Sequence, residues 1–180
     1  MAAAALVAGC ATTPPAPQHP VIADLLYGAL CDHGRQDAVC ASPASGQPAV
    51  IEATGDSSCT YAKKLVACTW YGYSFDYVLG EDGANLDCEQ VSDVKSNHGN
   101  IDTVLDTNTA VSGYTVHLNG RKGHHVQRQY LGRSPVDRTE HMKQSCSYRG
   151  EKLFEVEFLI HHHAAKPDKP SQGVSSKPTP

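Results

Sequence analysis

The sequence predicts a single α+β domain, mainly antiparallel sheet built from hairpins, with a short N-terminal helix and a disulfide framework. Three observations carry that reading. Long stretches alternate apolar and polar residues with a period of two, as half-buried strands do, and one early segment repeats its apolar residues with a helical period. The segments between them carry turn chemistry. At 180 residues the chain is long enough for one domain with its own core.

The first residues are apolar and small, closing on Leu6-Val7-Ala8-Gly9-Cys10. Small side chains at 8 and 9 suit a peptidase that grips extended backbone, and the thiol of Cys10 is a group that accepts a lipid. The stretch resembles the lipobox of bacterial lipoproteins, whose pattern is Leu, a small or aliphatic residue, Ala or Gly, then Cys. The resemblance covers these residues only, and no Lys or Arg precedes the run as a full signal peptide would have. It implies that residues 1–9 are a signal-peptide remnant and that Cys10 is lipidated. With Ala11 rather than Asp after the cysteine, it also implies the outer membrane, facing the periplasm. Stable anchoring takes more than one acyl chain, each contributing about 0.8 kcal/mol per buried CH₂. No other segment approaches the roughly 20 apolar residues of a spanning helix, so the expected membrane contact is the anchor alone. Residues 10–20 are the lipidated cysteine and a tether, stiffened towards polyproline II by Pro14, Pro15, Pro17 and Pro20.

The domain proper is expected over residues 21–163. Ile22, Leu25, Leu26, Ala29 and Leu30 fall at i, i+3, i+4, i+7 and i+8, which predicts a helix from Val21 to Cys31. Ala49 to Ala53 reads as a short strand. From Leu65 the period changes, and Tyr71, Tyr73, Phe75, Tyr77 and Leu79 alternate with smaller or polar residues as one strand. Gly80-Glu81-Asp82-Gly83 is turn chemistry, and Asn85 to Val91 is expected to return as a hairpin. Ser92 to Ala110 is polar and reads as a long excursion. Val111 to Leu118 and His124 to Leu131 flank Asn119-Gly120, a second hairpin signal. Ser134-Pro135 is expected to start a helical turn. Glu140 to Tyr148 and Lys152 to Ile160 form the last pair, joined at Arg149-Gly150. There Phe154, Val156, Phe158 and Ile160 face one way while Glu155 and Glu157 face the other, as in a sheet with one wet face. Residues 164–180, rich in Lys, Pro and Ser, have almost nothing to bury and read as a disordered tail.

Seven cysteines, less Cys10, leave six: Cys31, Cys40, Cys59, Cys68, Cys88 and Cys146. An even set in an exported chain is a disulfide framework, with its connectivity open. Cys31 and Cys40 bracket a small loop. A straight strand between Cys59 and Cys68 would span about 30 Å, far beyond the ~7 Å that a bridge allows. Either the chain turns near Ala62-Lys63-Lys64 or these two have other partners.

Candidate chemistry is sparse. His117, His124 and His125 flank the second turn and are candidate zinc or copper ligands that would need further groups. In His161-His162-His163 successive side chains point to opposite faces of a strand, so the run is not a preorganised site. Glu81, Asp82, Asn85, Asp87 and Glu89 lack the spacing of a calcium loop. Gly72-Tyr73-Ser74-Phe75 has Asp76 where a nucleophile elbow needs glycine. The aromatic stripe reads as core, yet three of its members are tyrosines that want hydrogen-bond partners. If that face is exposed, Tyr71, Tyr73 and Tyr77 form a flat recognition surface.

With a net charge of −4 and no basic block, no nucleic-acid partner is expected. No cofactor is expected either. The function expected is that of a non-enzymatic envelope lipoprotein whose braced β-rich domain binds or scaffolds another envelope protein. Alternatives are an inhibitor or immunity lipoprotein against a secreted hydrolase, a small hydrolase, and a histidine-based metal carrier.

Overall fold

The computed structural model describes residues 19–31, 39–40, 42–94, 98–100 and 110–164. The expected leader, Cys10, the tether to residue 18 and all but Ala164 of the expected tail lie outside the described residues. Among the described residues ten strands form two sheets. They are β1 (Val21–Ala29), β2 (Ala49–Ala53), β3 (Ser57–Tyr61), β4 (Lys64–Val78), β5 (Ala84–Ser92), β6 (His98–Asn100), β7 (Val111–Leu118), β8 (Lys122–Gly132), β9 (Arg138–Tyr148) and β10 (Glu151–His162). In the first sheet β1 and β3 share one edge of β4, β8 runs along the other edge, and β6 lies beyond β8. The second runs β2-β10-β9-β5-β7 and is antiparallel except where β2 pairs parallel with β10.

The fold is therefore all-β, and the expected α+β class is overturned: no helix forms among the described residues. The segment expected as a helix is β1, antiparallel to β4. Its register slips by one residue between Ala23 and Leu26, where Asp24 takes a φ of 50°. That bulge puts Ile22, Leu25, Tyr27 and Ala29 against the core. One extra residue turns a spacing of two into three, which imitates a helical period. Ser134-Pro135 starts no helix either, because the Ser134 hydroxyl closes a tight turn on Val136 (2.7 Å to its carbonyl).

Two expected hairpins are arches between sheets. β4 and β5 do not pair, nor do β7 and β8; β5 pairs with β7 and β9, and β8 with β4. The arches brace each other, with Leu79 N–H donating to Arg121 O (2.7 Å) and Gly83 N–H to Gly120 O (3.3 Å). The buried Leu79 closes that end of the core. Within the polar stretch expected as an irregular excursion, His98–Asn100 adds a short strand to β8. The β9–β10 hairpin forms as expected, with Arg149 and Gly150 at φ 52° and 84°. So does the short strand at Ala49–Ala53.

The core is the meeting of two stripes. Tyr71, Tyr73, Phe75 and Tyr77 of β4 face Phe154, Val156, Phe158 and Ile160 of β10, and all are buried. Their rings meet largely edge to face, Tyr71 on Phe158 and Tyr73 on Phe154 at 5.3 Å each, an arrangement worth about 1 kcal/mol per pair beyond area burial. Glu155 and Glu157 stay exposed, as a sheet with one wet face requires.

Three disulfides brace this frame: Cys31–Cys40, Cys59–Cys68 and Cys88–Cys146. Cys59 and Cys68 meet because the chain turns back at Ala62 and Lys63 (φ 47° and 65°), a two-residue turn of the primed type. Cys88 and Cys146 sit directly opposite on β5 and β9, 58 residues apart in sequence. By chain entropy that closure stabilises by about 4 kcal/mol, against roughly 2.5 for each nine-residue loop.

Close backbone approach sets one residue type. A Cβ on Gly72 would lie 1.9 Å from the carbonyl oxygen of Gln127 on β8. Gly72→Ala is therefore expected to cost about 3 kcal/mol. On Gly113 the added Cβ meets nothing nearer than Cys88 O at 3.9 Å, and Gly113→Ala should change stability by less than about 0.5 kcal/mol. Urea denaturation of the two variants side by side checks this; equal costs would remove the β4–β8 approach as the reason for glycine at 72.

Candidate functional site

The tyrosines expected as a possible recognition surface point inward. Tyr71 and Tyr73 are 0% exposed and Tyr77 is 7% exposed. Each hydroxyl has a partner: Tyr71 meets Met142 Sδ at 3.7 Å, Tyr77 donates to Asn119 O at 2.8 Å, and Tyr73 lies 3.1 Å from the Tyr114 hydroxyl. Tyr114 gives its own proton to Gln144, so Tyr73 donates to Tyr114, with Cys146 Sγ a further 3.4 Å contact of the Tyr73 hydroxyl. Burial pushes Tyr71, Tyr73 and Tyr114 well above the ordinary phenol value, so they stay protonated donors.

Around them lies a polar interior that the alternation pattern did not flag. Tyr114 donates to Gln144 Oε1 (3.1 Å), and Gln144 Nε2 donates to Gln90 Oε1 (3.0 Å) and, across the sandwich, to Gln129. Farther along, Glu140 and His162, both buried, meet at 2.7 Å, and Ser92 Oγ lies 2.6 Å from the other carboxylate oxygen. The serine touches the glutamate and not the imidazole, so these groups are not ordered as a nucleophile and base. The available signal was glutamine at inward positions of otherwise alternating strands, such as Gln127 and Gln129 beside Leu131.

The structure separates the three histidines singled out as metal ligands. His117 bonds Asn85 (2.8 Å), His124 bonds Asp76 (2.7 Å) and His125 bonds Gln127 (3.3 Å). In register His117 stands opposite Asn85 and His125 opposite Phe75, because their strands belong to different sheets. The terminal run splits as strand geometry demands: His161 and His163 hold the two oxygens of Glu52 (2.9 and 2.7 Å), while His162 turns inward. Among the described residues no three His, Cys, Asp or Glu groups gather as a metal site. Cys31 is in a disulfide, so it offers no thiol.

The outer face of the second sheet combines exposed apolar groups, charge and concavity. Val91 and Val111 stand opposite each other on β5 and β7, and Val50 is exposed on β2. Beside them a groove of about 390 Å³ crosses β5, β9 and β10, lined by Pro48, Val91, Asp93, His141, Lys143 and Glu157 among others. Lys143 lies between Glu155 (3.1 Å) and Glu157 (2.9 Å) and is held above its ordinary value, first by Glu157 and then by Glu155. Glu89, Asp93, Glu155 and Glu157 outnumber the cations of this surface, Lys143 and Lys152. The face is acidic, with uncovered valines beside the groove.

Two predictions follow from these pairs. His162→Leu takes one partner from the buried Glu140, which keeps Ser92 Oγ at 2.6 Å, and should cost about 3 kcal/mol, whereas Glu140→Met combined with His162→Leu should recover most of that. Thermal unfolding of the double-mutant cycle tests this, and additive losses would sink the pairing. Glu52 is held below the ordinary glutamate range by His163 and then His161, and Glu155 by Lys143 and then Lys152. A lowered folded value means stabilisation that is present above the unfolded glutamate value and lost as pH falls through the folded one. Solvent screening keeps that contribution small. Carboxyl NMR titration should find both below 4.5, and Lys143→Met should raise Glu155 while leaving Glu52 in place.

No protein-family model matches the chain, and a search of curated proteins finds no similar sequence. Among solved structures, the N-terminal domain of PorA is similar at a TM-score of 0.39 with 10% identity, covering 79% of this chain and 99% of that one.

Proposed function

We propose that this chain is a lipid-anchored envelope lipoprotein whose disulfide-braced β-sandwich is a protein-binding module. The observation that supports it best is the outer face of the second sheet. Val50, Val91 and Val111 are 55%, 40% and 52% exposed there, beside a charged groove. Val91 and Val111 are an adjacent uncovered pair and Val50 stands across the groove on β2, and uncovered apolar side chains with charged neighbours suit an interaction surface. The lipobox-like stretch ending at Cys10 supplies the anchor, and the proline-rich tether sets the module off from the membrane.

Affinity capture from envelope extracts tests the binding face. A partner retained by the wild-type protein should be lost with Val91→Glu/Val111→Glu, while stability changes by less than about 1 kcal/mol, because both sites are exposed. Retention by both proteins would move binding off this face. For the anchor, Cys10→Ser should remove the acyl mass from the intact protein and release it from the membrane fraction. Unchanged fractionation would end the anchoring claim.

A further inference from the structure

The β3–β4 hairpin has a shape its sheet does not require. β8 ends at Gly132, opposite Cys68, so among the described residues 57–67 pair only within the β3–β4 hairpin and project past the end of β8. At the tip, Ala62 and Lys63 hold left-handed φ angles of 47° and 65°, where a two-residue turn favours Asn-Gly. Each such non-glycine residue costs about 1 kcal/mol or more. The turn is held by its base. Cys59–Cys68 closes it, Tyr130 donates to Thr60 O (3.3 Å), and Trp70 packs edge-on against Tyr130 at 5.3 Å. What this braced element presents is apolar and basic. Leu65 is 79% exposed and Tyr61 51% exposed. Lys63 and Lys64 stand beside them with no ion-pair partner among the described residues.

The second sheet's outer face is the complement of that tip, being acidic and grooved with valines uncovered. A hairpin held in the plane of the first sheet does not reach the far side of the second, since packed sheets stand about 10 Å apart and each outer face points away. A contact between these two surfaces therefore joins two copies of the chain. We infer that the Tyr61–Leu65 tip of one molecule docks into the Val91–Asp93–Glu157 groove of a second copy. Lys63 and Lys64 then face Glu89 and Glu157, the latter shared with Lys143 at 2.9 Å, and Leu65 covers the valines. This names a partner for the binding face proposed above and rests on that reading. The two surfaces differ, so the contact is head-to-tail and propagates into open chains or rings. A single hairpin tip buries less than the roughly 1,200 Å² of a standard interface. The association is weak and gains from concentration on a membrane.

Sedimentation velocity on the full-length Cys10→Ser protein tests this directly. In low salt the wild-type surface should show concentration-dependent association that falls steeply with added salt. K63E/K64E alone and E89K/E157K alone should each weaken it on the order of tenfold or more by setting like charges against each other. Mixing those two variants restores opposite charges at both contacts and should restore association. All four substitutions are at exposed positions, and matching near-ultraviolet spectra would confirm that the fold is kept. As a second measurement, carbodiimide cross-linking of a mixed-isotope sample should join Lys63 or Lys64 of one copy to Glu89 or Glu157 of another. A wild-type protein that stays monomeric in low salt, or one whose association ignores both charge reversals, overturns self-docking. Such a result leaves the binding face standing if Val91→Glu/Val111→Glu still loses an envelope partner, so the two claims fail separately.

Discussion

The frame depends on a buried polar bridge between its two sheets. Tyr73 of the first sheet meets Tyr114 of the second at 3.1 Å, and Tyr114 donates to Gln144, which in turn reaches back to Gln129 of the first. Beneath them Cys88–Cys146 locks β5 to β9, with Cys146 Sγ within 3.4 Å of the Tyr73 hydroxyl. Apolar contact alone would tolerate sliding of one sheet over the other. A dry hydrogen bond left unmade costs about 1–3 kcal/mol, so the Tyr73–Tyr114–Gln144–Gln129 contacts favour the one stacking in which they form. The surrounding Phe75, Phe154 and Phe158 supply bulk burial, and the bridge supplies the register in which they meet.

This use of the interior decides what remains for recognition. The tyrosines of β4 serve the core, and the clustered histidines are distributed over different faces with local partners. Outside, exposed apolar side chains include Tyr61 and Leu65 on a basic tip and Val50, Val91 and Val111 on an acidic sheet face, with Val21, Leu26, Val78 and Val136 elsewhere. The charges of those two surfaces are opposite, so one molecule carries both halves of a contact.

Much of the frame was legible in the chain. The β4 stripe, the wet and dry faces of β10, the β9–β10 hairpin and the even cysteine set are each written in nearest-neighbour chemistry. The reach of a disulfide left two readings for Cys59 and Cys68, and the turn at Ala62-Lys63 is the one the structure takes. The errors have one root. At β1 a bulge at Asp24 gave a strand the spacing of a helix. At Gly80–Gly83 and Asn119–Gly123 the turn residues were read correctly, but the chain stepped into the other sheet instead of pairing with itself. The burial of Gln90, Gln129 and Gln144 was not read from the chain, because a polar side chain announces its burial only through partners distant in sequence.

Residue chemistry read along the chain settles where strands run, which of their faces are apolar, and that the cysteines brace a domain. Periodicity, turn preference and bond reach act over a few residues, so a linear text contains them. Partnership belongs to the assembled molecule. Whether a returning strand pairs or crosses, whether a tyrosine stripe is a surface or a core, and which glutamines meet across the sandwich depend on contacts between segments far apart in the chain. The same holds for the opposed charges of the hairpin tip and the outer sheet face, which share one molecule only once both sheets have formed.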